Sequence, residues 1–292
     1  VRCFHPLDAY QLGEGKVVFS VRGGMDIRRE LKLRCGRCIG CRLFRSQEWA
    51  TRVMHEASMH DCNSFVTLTY DDENVPRELV YRHFQLFMKR LRKQYPGSRF
   101  FMCGEYGEEG FRPHFHACLF GVHFSDRTFW RRLPSGHFLY RSESLERLWR
   151  YGFSSIGDVT FDSAAYVARY CVKKVVGNDA DQHYWSFDVF TGEAFRVEPE
   201  FARMSLKPGI GVPWAERFSG DLEASLGVVR QGGGVCAVPR RYDAVLGDRL
   251  VMDLEFKRFE HSLDAAHDNE PDRMAVLEEV ASARLKFKQR CL

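Results

Sequence analysis

Apolar residues recur along this chain with two different periods, and the switches between them mark its elements. Residues 1–34 read as short strands and turns, with Lys16 to Arg22 β-like and Gly23-Gly24 ending it. From Cys41 to His60 the spacing turns helical: Leu43, Trp49 and Val53 form an apolar stripe beside Glu48, Arg52 and Glu56. Phe65-Val66-Thr67-Leu68-Thr69-Tyr70 predicts a strand, stopped by the polar run Asp71 to Pro76. Residues 79–95 predict an amphipathic helix with Phe84, Phe87, Met88 and Leu91 inward and Lys89, Arg90, Arg92 and Lys93 outward. Pro96-Gly97 closes it.

Arg99 to Tyr106 and Arg112 to Phe120 read as two more strands, and the short loop between them predicts an antiparallel hairpin. Residues 122–150 form an insertion with a helix over Ser144 to Arg150, and Phe153 to Thr160 is a further strand. Asp162 or Ser163 is expected to cap a helix running from Ala164 to Lys174. Residues 246–292 are charged and helical.

Composition narrows the class. With 28% charged and 45% hydrophobic residues in 292, the chain is globular and long enough to bury a full core. The net charge of +4 is modest, but the cations cluster between aromatics at Phe87 to Lys93 and Arg169 to Lys174. Such patches suit a phosphate backbone, and each alone is equally a solvated helix face. No run is apolar enough to span a membrane, and Val1 to Pro6 lacks the layout of a signal peptide. Ten cysteines in such a chain point to reduced thiols or metal ligation in a cytosol.

Three constellations carry candidate chemistry. Cys35, Cys38 and Cys41 are spaced so that their thiolates can converge on one structural zinc, with Cys3 or His5 as fourth ligand; small reduced thiols packed at a helix start is an equal reading. His114 and His116 flank Phe115, so on a strand both imidazoles share one face while Phe115 points inward. Glu105 ends the neighbouring strand and can complete a two-His, one-carboxylate site suited to Mg²⁺ or Mn²⁺, with Glu108 and Glu109 in the loop as substitutes. Tyr166 and Tyr170 lie four residues apart on the later helix, one turn from each other, followed by Lys173 and Lys174. A phenol with a pKa of about 10 attacks a phosphodiester only with help. A metal on the scissile phosphate and a nearby lysine provide it.

Taken in order, these residues resemble the HUH endonucleases, named for their histidine-hydrophobic-histidine motif. In particular they resemble the rolling-circle replication initiators of microviruses, small single-stranded DNA bacteriophages, of the gokushovirus type. Phe65 to Tyr70 is similar to the first motif of that family, Arg112 to His116 to the metal-binding second, and Tyr166 to Lys174 to the two-tyrosine third. The cysteine cluster, Lys207 to Gly211 and Pro239 to Tyr242 also look familiar, so the resemblance covers about residues 1–245.

The resemblance implies an α+β fold: a central antiparallel sheet with packed helices, a ferredoxin- or RRM-like core, plus N-terminal cysteine-containing and C-terminal extensions. The expected division is 1–60 for the cysteine segment and first helix, 61–176 for the nuclease core, and 177–292 for a C-terminal extension without assigned chemistry. It further implies origin-specific nicking and joining of single-stranded DNA through a 5′-phosphotyrosine, with Tyr166 and Tyr170 as nucleophiles; which attacks first is open. Lys89, Arg90, Arg92, Lys93 and Arg169 are the expected DNA contacts. The absence of a Gly-x-x-x-x-Gly-Lys-Ser/Thr segment implies a host helicase, beside a host polymerase, in the bacterial cytoplasm. A relaxase- or transposase-type HUH enzyme, a water-activating metal hydrolase, and a non-catalytic zinc-stabilised DNA-binding protein remain as alternatives.

Overall fold

The computed structural model describes residues 3–107, 110–173, 184–187, 191–229, 235–264 and 270–290. They form two compact units, one of Val1–Arg45 with Glu260–Leu292 and one of Ser46–Phe259. No helix among the described residues is long and apolar enough to cross a membrane.

The first unit opens with an antiparallel sheet of β1 (Leu7–Leu12), β2 (Val17–Val18) and β3 (Ile27–Leu33), in the order β2-β1-β3. The β-like run from Lys16 to Arg22 contributes only Val17 and Val18 to the ladder, and Phe19 and Val21 are exposed. Helix α1 (Ile39–Ala57) begins in this unit and continues into the second.

The second unit is organised by a sheet of seven antiparallel strands. In chain order they are β4 (Asn63–Tyr70), β5 (Arg99–Tyr106), β6 (Pro113–Phe120), β7 (Thr128–Arg132), β8 (Phe138–Arg141), β9 (Gly152–Gly157) and a late strand, Phe201–Met204. Spatially the late strand lies beside β5, followed by β6, β4, β9, β8 and β7. The large antiparallel sheet with packed helices is the α+β architecture expected. Helix α2 (Tyr81–Gln94) follows β4, α3 (Glu143–Leu148) precedes β9, and α4 (Phe161–Lys173) follows it.

Alternation along the strands makes two cores. Val66, Leu68, Met102, Phe115 and Leu119 pack with Phe84, Phe87, Met88 and Leu91 of α2 on one face. Phe101, Cys103, Cys118 and Phe120 point to the other, against Ala50 and Val53 of α1 and Ala164, Val167 and Ala168 of α4. Each fully buried Phe or Leu is worth about 1.5–3 kcal/mol, and together they fix which residues of each strand face which layer.

The short strands Trp185–Phe187 (β10) and Ala194–Arg196 (β11) pair with each other, which makes Phe201–Met204 β12. Helices α5 (Val212–Arg217), α6 (Ser219–Ser225) and α7 (Asp248–Asp264), with the pair β13 (Val228–Val229) and β14 (Val235–Cys236), complete the unit, and α8 (Pro271–Arg290) belongs to the first. Residues 246–292 thus contain the helices the sequence predicts.

A buried polar network ties the C-terminal part of this unit to α1. His55 Nδ1 lies 2.8 Å from Tyr242 Oη, its ring stacked 3.5 Å from that of Trp214. Arg52 Nε donates to the Ile210 carbonyl and Gly211 N–H to Glu56 Oε2. Gly211 sits at φ +74°, where a Cβ would come 2.5 Å from Tyr242 Oη and 2.8 Å from the Arg52 carbonyl oxygen.

Candidate active site

Register places three candidate ligands together. Glu105 of β5 pairs with His114 of β6, Cys103 with His116, and His116 in turn with Thr67 of β4. All point to the α4 side of the sheet, because they share the alternation of Phe101, Cys118 and Phe120. Their ligand atoms all lie within 4.8 Å of one another. Glu105 Oε1 is 2.7 Å from His114 Nε2 and 2.7 Å from His116 Nε2. Glu105 is thus the carboxylate gathered with the histidines; Glu108 and Glu109 lie outside the described residues.

The rings are held from behind. The Arg112 carbonyl accepts from His114 Nδ1 at 3.1 Å, and Thr67 Oγ1 lies 2.9 Å from His116 Nδ1. Phe65 stacks parallel to His116 at 5.8 Å. Arg112 is itself anchored on the Tyr70 carbonyl and on Asp72.

This arrangement fits a cation. A carbonyl can only accept, so His114 Nδ1 carries a proton, and the neutral ring then turns its Nε2 lone pair toward Glu105 Oε1. Two lone pairs meet there unless the ring takes a second proton or a metal joins both atoms. Glu105 Oε2 is buried and has no hydrogen-bond partner among the described residues, so it too is available to a cation. Ligands about 2.0–2.1 Å from Mg²⁺ stand about 2.9 Å apart along an octahedral edge, close to the spacing seen. Burial pushes the Glu105 carboxyl upward, but the hydrogen bonds and charge of His114 and His116 outweigh it and hold the group at about 2.

Helix α4 brings the phenol. A reciprocal cap sets its start: Thr160 Oγ1 accepts from Ser163 N–H at 3.1 Å, and Ser163 Oγ accepts from Thr160 N–H at 2.8 Å. The cap is therefore Thr160, with Ser163 in the returning role; Asp162, one of the two caps expected, lies within the first turn. Ala164, Val167 and Ala168 seat the helix on the sheet, and Tyr166 Oη donates to Glu105 Oε1 at 3.0 Å. Burial and the neighbouring Glu105 charge push the Tyr166 pKa far up, so the phenol is held protonated. The Arg169 guanidinium lies 5.6 Å from the centre of the Tyr166 ring, its own pKa lowered by burial.

The remaining expected residues divide. Tyr170 and Lys173 occupy α4, but their side chains, and Lys174 altogether, lie outside the described residues. Lys89, Arg90, Arg92 and Lys93 sit on α2, which covers the opposite face of the sheet from the histidines. There Arg90 Nε donates to the Leu148 carbonyl and Arg92 Nε to that of Ser98, while Lys89 and Lys93 are exposed. The four cysteines gather in the first unit, with Cys3 and not His5 among them; His5 Nε2 instead lies 2.7 Å from Glu278 Oε2. Burial raises the Cys35 thiol, yet backbone N–H groups of Cys38 and Arg37 bring it down to about 6.

Two features went unread in the sequence. Thr67 and Phe65, which orient His116, show only as alternate positions of a strand. The insertion holds, besides its helix, the hairpin β7–β8, which exposes Phe129, Trp130 and Phe138. Arg131 lies 4.3 Å over Trp130, Arg127 4.9 Å over Tyr140 and Arg141 5.2 Å over Trp130. The alternation of aromatics and arginines about Gly136 was the available signal.

Comparison with known proteins places this geometry. A family model described as replication-associated protein ORF2 matches residues 63–175, the span that holds the triad and α4. The chain is 33% identical over 253 residues to the replication-associated protein VP4 of Bdellovibrio phage phiMH2K, covering 83% of this chain and 76% of that one. It is 32% identical to replication-associated protein ORF2 of Spiroplasma virus 4, covering 73% and 69% of the two chains. It is 34% identical to replication-associated protein ORF4 of Chlamydia phage 1, covering 51% and 40%. No solved structure matches it.

Proposed function

Because the chain belongs to the replication-associated proteins of small phages of the microvirus type, we propose that it nicks and rejoins single-stranded DNA at a replication origin, using Tyr166 as a covalent nucleophile. The observation that carries the reading is the phenol of Tyr166 seated 3.0 Å from the carboxylate oxygen that both histidines share.

Glu105, His114 and His116 would hold a divalent cation of the Mg²⁺ or Mn²⁺ class, which polarises the scissile phosphate and stabilises charge on the leaving oxygen when bound. The remaining work falls to the chain. The Arg112 carbonyl fixes the His114 tautomer and Thr67 holds the His116 ring, so that both Nε2 atoms face inward. Tyr166 keeps its proton while Glu105 Oε1 accepts it, and becomes reactive once that oxygen is engaged elsewhere. Arg169 beside the ring favours the phenolate, and Lys173 and Lys174 are proposed to add positive charge.

The phenol oxygen then bonds to phosphorus as the O3′–P bond breaks, its proton passing to solvent while the leaving O3′ takes one up from solvent. The products are a 5′-phosphotyrosine and a free 3′-OH for a host polymerase to extend. In joining, a 3′-OH attacks the phosphotyrosine and the phenol leaves with a proton. Tyr170, one helical turn on, is the proposed second nucleophile for ending a round. The exposed Phe129, Trp130 and Phe138 with their arginines offer bases a stacking platform beyond the sites on α2. Strand separation is left to a host helicase, and the setting is the bacterial host's cytoplasm.

The test is adduct formation. With Mn²⁺ or Mg²⁺ and an oligonucleotide from the cognate origin, a covalent protein–DNA band should survive a denaturing gel and vanish in Tyr166→Phe/Tyr170→Phe. An adduct that persists in the double variant sinks the tyrosine mechanism. Cleavage without any adduct assigns the triad to water activation.

A further inference from the structure

The sulfur cluster of the first unit is built like a metal site. Cys3 reaches it from the start of the unit, Cys35 from the turn after β3, Cys38 from the residue just before α1 and Cys41 from the first turn of α1. Cys35 Sγ lies 3.9 Å from Cys41 Sγ, and Cys38 Sγ lies 3.9 Å from Cys3 Sγ. A disulfide requires about 2.05 Å, so these are not bonded pairs. Four sulfurs about 2.3 Å from one zinc at tetrahedral corners stand about 3.8 Å from one another. These two spacings match a tetrahedron's edge, and all four sulfurs lie within 4.8 Å of one another.

The backbone is arranged for sulfur that carries negative charge. Cys35 Sγ accepts from the N–H groups of Arg37 and Cys38, Cys38 Sγ from those of Phe4 and Cys41, and Cys3 Sγ from that of Cys35. Gly36, at φ +75°, makes the turn that directs these amides inward. The Cys41-to-Cys38 bond also places a sulfur at the N-terminus of a 19-residue helix, where its dipole favours an anion. Donors aimed at sulfur favour thiolates, but four thiolates this close repel unless a cation sits among them. Phe4, Ile39, Leu277 and Ala281 wall the cluster with apolar surface.

We propose that Cys3, Cys35, Cys38 and Cys41 bind one Zn²⁺ in a closed, all-thiolate structural site that fastens the start of the chain and the turn after β3 to the beginning of α1. The sulfurs select against Mg²⁺ and Mn²⁺, which prefer oxygen. With all four corners taken by protein, the ion has no open position for a substrate. Arg34, Arg37, Arg42 and Arg45 in the same stretch offset the site's residual negative charge.

Elemental analysis of the full chain, purified without chelator, tests this. The expected result is about one zinc per chain, retained in His114→Ala/His116→Ala and lost in Cys38→Ser. Cobalt exchanged into the wild type should give the intense visible absorption and thiolate charge-transfer band of a tetrahedral sulfur site. Should Cys38→Ser be insoluble, alkylation mapping of the wild type decides. Protection of the four cysteines that ends when the metal is displaced supports the site; their ready alkylation in the zinc-supplied protein overturns it. Zinc that leaves with the histidine variant, iron in place of zinc, or disulfides among the four would also overturn it.

Discussion

The two ligand clusters of this chain are opposites in construction. Glu105, His114 and His116 come from two adjacent strands, offer nitrogen and oxygen, and leave Glu105 Oε2 without a partner among the described residues, beside a tyrosine. Cys3, Cys35, Cys38 and Cys41 come from turns and a helix start, offer only sulfur, and gather four ligand atoms within 4.8 Å of one another. The first is proposed to serve chemistry because it is incomplete, the second structure because it is complete. The difference teaches that rigidity has different sources in the two places. The triad borrows it from a sheet that is already buried on both faces, whereas the cysteine segment is proposed to gain it from cross-linking through a metal.

The largest effect that would test this contrast is loss of the triad. His114→Ala/His116→Ala should cut adduct formation by at least about 10³-fold while circular dichroism and melting stay near wild type; adduct at the wild-type rate would break the assignment. Tyr166→Phe should lower first-strand cleavage at least about 10²-fold in single-turnover assays, with a lesser loss in Tyr170→Phe. A reversed order would move the first attack to Tyr170.

Brief treatment with a carboxylate chelator should sharpen the contrast by metal class. Nicking is expected to disappear and return with Mn²⁺ or Mg²⁺, with the thiolate-bound zinc still present by elemental analysis. Co-loss of both at the same chelator concentration would erase the distinction.

Acid separates the fold from the triad. Burial lowers the His55 pKa to about 4 from an ordinary 6.5, so the unfolded chain takes up the proton first. Stability is therefore full above about pH 6.5, declines as pH falls toward 4, and is lost below that, a contribution of about 3 kcal/mol. Glu105, held at about 2, keeps its charge throughout this window. Urea midpoints against pH should show the decline in wild type and a flatter profile in His55→Gln; an equally steep variant would remove His55 as the cause. The smallest effect is expected on the β7–β8 hairpin. Trp130→Ala should weaken binding of a non-origin single strand by about 1–3 kcal/mol without shifting the melting temperature, as read by fluorescence anisotropy.

Much of the triad was legible because period-two alternation and a short hairpin leave few choices. Once Arg99 to Tyr106 and Pro113 to Phe120 pair around a tight loop, Glu105 falls opposite His114. Helix α2 was legible for the same reason, its stripe of Phe84, Phe87, Met88 and Leu91 being wholly buried. Contacts between distant segments left no local trace. His55 with Tyr242 spans 187 residues and Glu56 with Gly211 spans 155, and polar side chains on a helix read as surface until their partners are known. The β7–β8 strands escaped because their aromatics face outward, so alternation marks no core there. Thr160 was missed as the cap since its role rests on a mutual bond with Ser163.

The pairing of β4, β5 and β6 has a consequence best put as parity. Every ligand and every ring-orienting residue occupies the same alternate class of positions as Phe101, Cys118 and Phe120, whose burial locks each strand against slipping by one. A single residue gained or lost inside a strand would present apolar side chains to the layer of the triad and imidazoles to the opposite core. The hydrophobic interior thus acts as the gauge by which the reactive groups stay aimed, and drift that breaks the aim also breaks the fold.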